Sequence, residues 1–306
     1  MYEHAKLVGP FAIGVDVGGS HVACCAVDLA SGCVVSGSEA ERDVDPHQNA
    51  ARIIDAWSAT IGESIRGYGE PLCGIGVAMP GPFDYLRGIS TISGVEKYEN
   101  LFGLDVTGSL HASFGNAMSA LSALPVRYTN DAAAFALGES LGGAARGIDR
   151  VVALTLGTGF GSGFIANGEL ISTGDEVPPN GWVYNLPFDT SIADDQFTTR
   201  WFVHRYRELT GRGVTGAREV AERVTADPAA AQIFEEYGRR LADFVLPLYR
   251  RFRGQVVVIG GNIARAFPLF SPSLERRLAE LGEKIDFRQG NLWDKAAMTG
   301  AASLFK

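Results

Sequence analysis

Residues 11–28 read FAIGVDVGGSHVACCAVD, and residues 151–170 read VVALTLGTGFGSGFIANGEL. Each is an apolar, β-branched run, a glycine turn and a second apolar run, which is the pattern of a β-hairpin. The first turn is Gly18-Gly19-Ser20, just after Asp16; the second is Gly157-Thr158-Gly159. Glycine in such a turn supplies positive φ or lets another group approach the backbone closely. Bare N–H groups beside the hydroxyl of Ser20 or Thr158 then make a seat for an anionic oxygen. One glycine hairpin is most often only a tight turn. Two, similarly framed and about 140 residues apart, describe two half-molecules able to grip one polyphosphate. Neither turn matches G-x-x-x-x-G-K-[ST] and neither strand runs straight into a helix, so P-loop and dinucleotide-binding readings are both disfavoured.

The chain has 306 residues, enough for one large domain or two ordinary ones. An apolar fraction of 46% with 38 glycines fits a packed α/β protein rather than a disordered or fibrous one. The formal charge of −8, with no basic tract to offset it, argues against nucleic acid or an anionic membrane as partner. Any anion bound here is expected to be held locally. The N-terminal MYEHAKLVGP lacks a basic and then apolar leader, and no apolar run approaches the ~18 residues of a membrane span, so a cytoplasmic protein is expected. Cys24, Cys25, Cys33 and Cys73 form no C-x-x-C pairing and are read as core residues, with the adjacent pair pointing to opposite faces of a strand.

Residues 11–40 are expected to form an antiparallel meander of three strands. A helix over 49–66 follows, with Ala50, Ile53, Ile54, Trp57 and Ile61 at helical spacing. LCGIGVAMPGP is a strand ending at Pro80-Gly81-Pro82, a helix is expected near 107–121, and LPVRYTND is a strand opening into the alanine-rich helix DAAAFALGESLGGAA. The pattern restarts near Val151. Residues 171–193 read as a functional loop. Helices are expected over 195–210, 216–225 and 229–252, then the strand and double glycine of QVVVIGGNIARAF, and a closing helix in WDKAAMTGAASLF.

With these segments in order the chain resembles the ROK family of sugar kinases, within the actin, hexokinase and heat-shock-chaperone ATPase fold. DVGGSHVACCAVD is similar to the first phosphate motif, GVAMPGPFD to the strand-end motif, YTNDAAAFALGE to the catalytic segment, LTLGTGFGSGFIANGEL to the second phosphate motif and VVVIGGNIA to the adenosine motif. The resemblance implies an α/β protein of two ribonuclease-H-like domains with nucleotide and sugar meeting in a cleft. The smaller domain is expected over 1–118 plus 292–306, the larger over 119–291. Only ten residues precede Phe11, so the helix-turn-helix of the family's repressors is not expected.

Asp131 follows Asn130 at a strand end and opens a helix. By position it is an N-cap; by resemblance it is the general base that takes a proton from the sugar hydroxyl. Asp16 is either a turn carboxylate bonding backbone N–H groups or, as the resemblance implies, the anchor for Mg²⁺, through water. The resemblance further implies that Gly18, Gly19, Ser20, Gly157, Thr158 and Gly159 receive the phosphates of ATP. Gly260, Gly261 and Asn262 would border the adenosine, unless the glycines serve only packing. Gly81, Asn130 and Asp131 would meet the sugar. The family's Gly-Glu-x-Gly-His sugar segment corresponds here to 181–188, GWVYNLPF, so Trp182 and Asn185 stand where Glu and His are expected, and the cysteine-rich zinc loop is absent. Trp182 either stacks on a pyranose or fills a core gap. Asp194, or equally Asp195, is aligned to the later acidic sugar ligand, with Leu186, Pro187, Phe188 and Phe197 expected to pack the loop in place of zinc. A sugar partner, with a homodimer among the implied assemblies, completes these expectations. Polyphosphate remains open as donor, and a catalytically weak sugar sensor as the alternative function.

Overall fold

The structure, a computed structural model, describes residues 10–66, 68–115 and 118–306. The stretch read for a leader lies outside these residues, apart from Pro10, as do residues 116 and 117 of the helix expected over 107–121. The chain divides into two compact units, residues 1–143 with 294–306, and residues 144–293.

In the first unit β1 (Phe11–Val17), β2 (His21–Asp28), β3 (Cys33–Val34), β4 (Ala40–Asp43), β5 (Leu72–Met79) and β8 (Val126–Asn130) build one sheet; β6 (Phe83–Asp84) and β7 (Ile89–Ser90) form a small ladder apart from it. The order is β3-β2-β1-β5-β8, with β4 also on β2. β1 and β2 are antiparallel, whereas β1, β5 and β8 run parallel. The helices are α1 (Ala50–Ser64), α2 (Val106–Phe114), α3 (Ser119–Ser122), α4 (Asp131–Leu141) and, from the C-terminus, α10 (Ala296–Ala302). Asn49 caps α1 by accepting the Arg52 N–H at 3.0 Å. Ile53, Ile54, Trp57 and Ile61 then face one cluster with Ile13, Val15 and Cys24. Cys25 lies in a different cluster with Met298, Ala302 and Phe305, so the two cysteines do take opposite faces. Cys33 is exposed and is no core residue.

The expected division after residue 118 is corrected by the structure. β8 pairs along β5 from Ile75↔Val126 to Met79↔Asn130, and α4 packs on α10, so residues 119–143 belong to the first sheet and its helices. Sequence pattern showed the strand but not its partner.

The second unit repeats the order. β9 (Arg150–Leu156), β10 (Phe160–Ala166), β11 (Glu169–Leu170), β14 (Val256–Gly260) and β15 (Phe287–Gln289) lie as β11-β10-β9-β14-β15, with β12 (Pro187–Phe188) and β13 (Ser191–Ile192) as a short separate ladder. Here too the hairpin is antiparallel and the remaining strands parallel. The helices are α5 (Ala193–Phe197), α6 (Thr199–Thr210), α7 (Ala217–Glu222), α8 (Pro228–Phe252) and α9 (Phe267–Glu280). The helix expected over 195–210 is thus two, parted at Thr198, whose φ and ψ of −105° and 173° are extended. The core joins the apolar side of β9, β10 and β14 to Phe197, Phe202, Phe234, Tyr237 and Phe244. Among the described residues no helix is long and apolar enough to cross a membrane.

In the first unit α10 lies directly on glycine. A Cβ added to Gly14 of β1 would fall on the Met298 carbonyl oxygen, and one on Gly76 of β5 on that of Ala301. Neither neighbour is a flexible side chain that can swing aside. Gly76→Ala is therefore expected to lower stability by about 3 kcal/mol, the upper part of the overpacking range. Gly69→Ala, where a Cβ meets open space, should stay within about 0.5 kcal/mol of wild type. Thermal melts of the two variants check this, and equal melting temperatures would refute the seating of α10.

Candidate active site

β1 carries Asp16 past Gly14, opposite Ala23 of β2 and Ala78 of β5. The turn beyond it is closed by the Gly18 N–H donating to the His21 carbonyl at 2.9 Å, while the Tyr98 phenol donates to the Gly18 carbonyl at 2.8 Å. Neither Gly18 nor Gly19 has positive φ. A Cβ on Gly18 would strike the His21 ring, whereas one on Gly19 would meet only the flexible end of the exposed Lys97, 2.5 Å from its Nζ. The exposed Ser20 completes the turn.

Asp131 is the first residue of α4, but the capping belongs to its neighbour. Asn130 Oδ1 accepts the Ala132 N–H at 3.0 Å with extended backbone at Asn130, the geometry of an N-cap. The N-cap reading of Asp131 is thereby corrected. Its own Oδ1 also lies 2.8 Å from the Ala132 N. Asp131 is exposed as a residue, yet its carboxyl stands above the usual carboxylate range because surrounding protein desolvates it, against the pull of the Ala132 N–H, its own N–H and Asn130. Asn130 Nδ2 donates to the Tyr85 hydroxyl at 3.3 Å, and that hydroxyl lies 3.2 Å from where a Gly81 Cβ would be. Gly81, Asn130 and Asp131 therefore do come together, around a tyrosine that sequence reasoning missed. Burial pushes the Tyr85 phenol up to about 12, with the Asn130 bond opposing and Asp131 adding to the rise. Nothing in its sequence context, two residues after Phe83 in the strand-end segment, marks Tyr85 as part of the site.

Burial, followed by the charges of Asp131 and Asp294, pushes the Asp16 carboxyl up to about 7. Asp294 is a second residue missed, since it is brought here only by the C-terminal segment. Among the described residues no three acidic, histidine or cysteine side chains converge as a metal cage. A buried carboxylate strained by like charges nevertheless suits a hard cation that keeps its waters and takes its other ligands from phosphate. The residues fit Mg²⁺ held through water at Asp16.

In the second unit the turn is tied from behind. The Thr199 N–H and hydroxyl both donate to the Gly157 carbonyl, at 2.9 and 3.1 Å, and the Phe160 N–H donates to Asp194 Oδ1 at 2.8 Å. Asp194 Oδ2 receives Arg200 at 2.5 Å. Both oxygens of Asp194 are thus engaged within the second unit, Oδ1 by the hairpin and Oδ2 by Arg200 of α6, which leaves its expected role as a sugar ligand without support. Gly157 and Gly159 have no positive φ, and a Cβ on either would make no contact closer than 3.9 Å. Thr158 and Gly159 are exposed.

Gly260 is the buried last residue of β14, opposite Thr155. Gly261 has φ +81°, and a Cβ there would strike the Leu156 carbonyl, so packing alone requires this glycine. Asn262 and Ile263, by contrast, line a cavity of about 830 Å³ with Ala217, Ala221, Pro268 and Leu269, rimmed by Arg218, Glu222 and Arg265. An adjoining hollow of about 470 Å³ reaches Thr199, the residue that holds the hairpin. Trp182 is no core filler: it is 36% exposed and tilted against the exposed Tyr184 at 5.9 Å. Ser162 pins their loop, donating to the Gly181 carbonyl at 2.6 Å and accepting the Val183 N–H at 3.1 Å. Asn185 is exposed next to them. Phe188 and Phe197 pack at 5.1 Å with Leu186 alongside, while Pro187 is exposed and takes no part.

A duplicated sheet order, each copy presenting a glycine turn at the end of its antiparallel hairpin, is the actin-like ATPase fold. The chain belongs to the ROK family, whose sequence model matches residues 12–178 and 199–306. It is 29% identical over 322 aligned positions to a glucokinase of Thermotoga maritima, covering 96% of each chain. Among solved structures it superimposes on a ROK hexokinase from Thermus thermophilus with TM-score 0.78 at 22% identity, covering 96% of this chain and 97% of that one. A ROK family glucokinase from Streptomyces griseus, in complex with glucose and AMPPNP, gives TM-score 0.73 at 22% identity over 96% and 98%.

Asp16 ties the site to stability. Its folded-state value of about 7 lies above the ordinary 3.8, so between these the folded chain holds the extra proton and stability falls as pH rises. In metal-free buffer Asp16→Asn should therefore raise the melting temperature at pH 8, and the gain should shrink toward pH 4. Melts across that range that differ from wild type by a constant amount would contradict a strained carboxyl.

Proposed function

We propose that this chain is an ATP-dependent carbohydrate kinase, transferring the γ-phosphoryl group to a sugar hydroxyl with Asp131 as general base. The observation that carries the reading is Asp131 itself: its capping duty is discharged by Asn130, burial raises its carboxyl, and Gly81, Asn130 and Tyr85 stand nearby. Structural necessity does not explain an acid there. In the step, the sugar hydroxyl gives its proton to Asp131 as its oxygen bonds phosphorus, the bond from phosphorus to the β-phosphate oxygen breaks, and ADP leaves. Positioning and charge stabilisation supply most of the catalysis. Mg²⁺ at Asp16 supplies charge neutralisation of the phosphate oxygens when bound.

ATP is favoured over polyphosphate by the cavity at Asn262. Its volume and mostly apolar walls suit a nucleoside, and the adjoining hollow leads to the residue holding the second turn. Gly157 and Gly159 support the same reading, because neither backbone geometry nor packing demands glycine at either position, which leaves ligand approach as the reason. Trp182 and Tyr184 offer an aromatic face to the sugar, with Asn185 beside them. Asp194 positions the hairpin.

A coupled ADP-release assay over a panel of monosaccharides and glycosides tests the activity. Asp131→Asn should lower kcat by about 10²–10⁴ without lowering the melting temperature. Because burial raises the Asp131 carboxyl, the acid limb of kcat/KM should lie above the ordinary carboxylate range. If no sugar raises ADP release above the Asp131→Asn level while some sugar still shifts the melt, the chain is a sensor instead. Gly159→Val gives a separate check on the nucleotide half: it should raise the KM for ATP at least tenfold while the KM for sugar and the melting temperature stay put. An unchanged KM for ATP would remove Gly159 from the phosphate seat.

A further inference from the structure

Asp131 and Asp294 stand close enough to Asp16 at the first hairpin to raise its carboxyl, so a triphosphate approaching this turn meets an acidic cluster. One cation stands at the turn. Lys97 lies with Nζ 2.5 Å, and Cδ and Cε 3.3 Å, from the position a Gly19 Cβ would fill. Among the described residues no carboxylate pairs with it. A lysine resting on glycine by chance would ride on a loose loop, and this loop is held at many points. Tyr98, 1% exposed, gives its phenolic proton to the Gly18 carbonyl, donates its N–H to the Pro46 carbonyl at 3.1 Å and packs edge-on against Trp57 at 5.6 Å. Asn100 Nδ2 donates to the carbonyls of His47 and Gln48, at 3.0 and 2.9 Å. The residues flanking the lysine, Glu96 and Tyr98, have φ of 61° and 57°. Left-handed backbone at non-glycine residues is costly and persists where surrounding structure imposes it. The same buried tyrosine thus fixes both the turn and the backbone that carries the lysine, whose ammonium lies over the bare Gly19.

We propose that Lys97 is a catalytic cation that contacts the terminal phosphoryl group during transfer. The proposal rests on the kinase reading above. Asp131 and the Gly18–Ser20 turn belong to the same unit, so the phosphoryl group that reaches the acceptor oxygen is the one this turn and Lys97 receive. As that oxygen bonds phosphorus, its proton passes to Asp131 and the bond to the β-phosphate oxygen breaks. Lys97 offsets charge on the moving group. It would recognise the group that distinguishes ATP from ADP.

The test uses the full chain with Lys97→Met and Lys97→Arg. Titration calorimetry in Mg²⁺ with AMPPNP and with ADP should show Lys97→Met binding AMPPNP about tenfold or more weaker, as expected for loss of a charge-assisted hydrogen bond. ADP affinity should not change. Lys97→Arg should recover most of the AMPPNP affinity. In turnover, kcat of Lys97→Met should fall about 10²–10³, the scale for removing a charge-stabilising donor, with the sugar KM and melting temperature unmoved. A methionine variant that binds AMPPNP and turns over like wild type, or that loses both nucleotides equally, overturns the role of Lys97 and leaves the kinase reading standing. A wild-type chain that binds neither nucleotide overturns both.

Discussion

The contact between the C-terminal helix and bare glycine Cα atoms fixes the first unit. α10 has no room for a side chain between its carbonyls and β1 or β5, and the same is true against α4, where a Cβ on Gly138 would fall on the Ala296 carbonyl and one on Gly300 on that of Ala134. Close-packed backbone of this kind cannot slide without collision, because interiors have no spare volume to absorb the shift. The functional carboxylates hang on it. Asp16 lies two residues beyond Gly14 on β1, Asp131 starts the helix that contains Gly138, and Asp294 leads into α10 itself. Three acids far apart in sequence are thereby held close enough for each of the other two to raise Asp16.

That arrangement works against stability. Desolvated like charges favour protonation, and a fold selected only for stability would replace one of them with an amide. Retaining them makes sense where a cation and a phosphate arrive together, since each offsets what the other makes unfavourable. The two turns share their place at the end of an antiparallel hairpin but are supported differently. A buried phenol braces Gly18 in the first, and a threonine and an aspartate from the start of α5 and α6 brace Gly157 and Phe160 in the second. Strand order is shared between the units. The bracing is not.

What was legible in the sequence was local. Apolar runs broken by glycine gave both hairpins, helical spacing gave α1, and adjacent cysteines in a strand pattern gave their opposite faces. Asn130 and Asp131 were ambiguous, because either residue type caps a helix well and only backbone angles decide between them. The domain boundary was missed because strand pairing is non-local: nothing inside VRYTN says that it lies beside β5 rather than opening the next unit. Tyr85, Tyr98 and Lys97 were missed for a similar reason. They sit on loops without periodicity, and their meaning comes from what they touch. Gly261 shows the opposite error, a motif glycine whose left-handed φ and contact with Leu156 account for it without any ligand.

Asp194 illustrates how an acidic chain manages an anion seat. A carboxylate placed directly behind the turn proposed to seat phosphate would repel that ligand, yet its Oδ1 is needed to hold the Phe160 N–H. Arg200, whose side chain is 56% exposed, closes on Oδ2. A pair this open adds little to stability, so stability is a weak reason for it. Its larger effect is local: the bond to the hairpin is kept and the charge behind the turn is cancelled. With a formal charge of −8 the molecule has no general field to draw a polyphosphate in. Each proposed anion seat is therefore expected to carry its own compensation, Arg200 behind the second turn and Lys97 over the first.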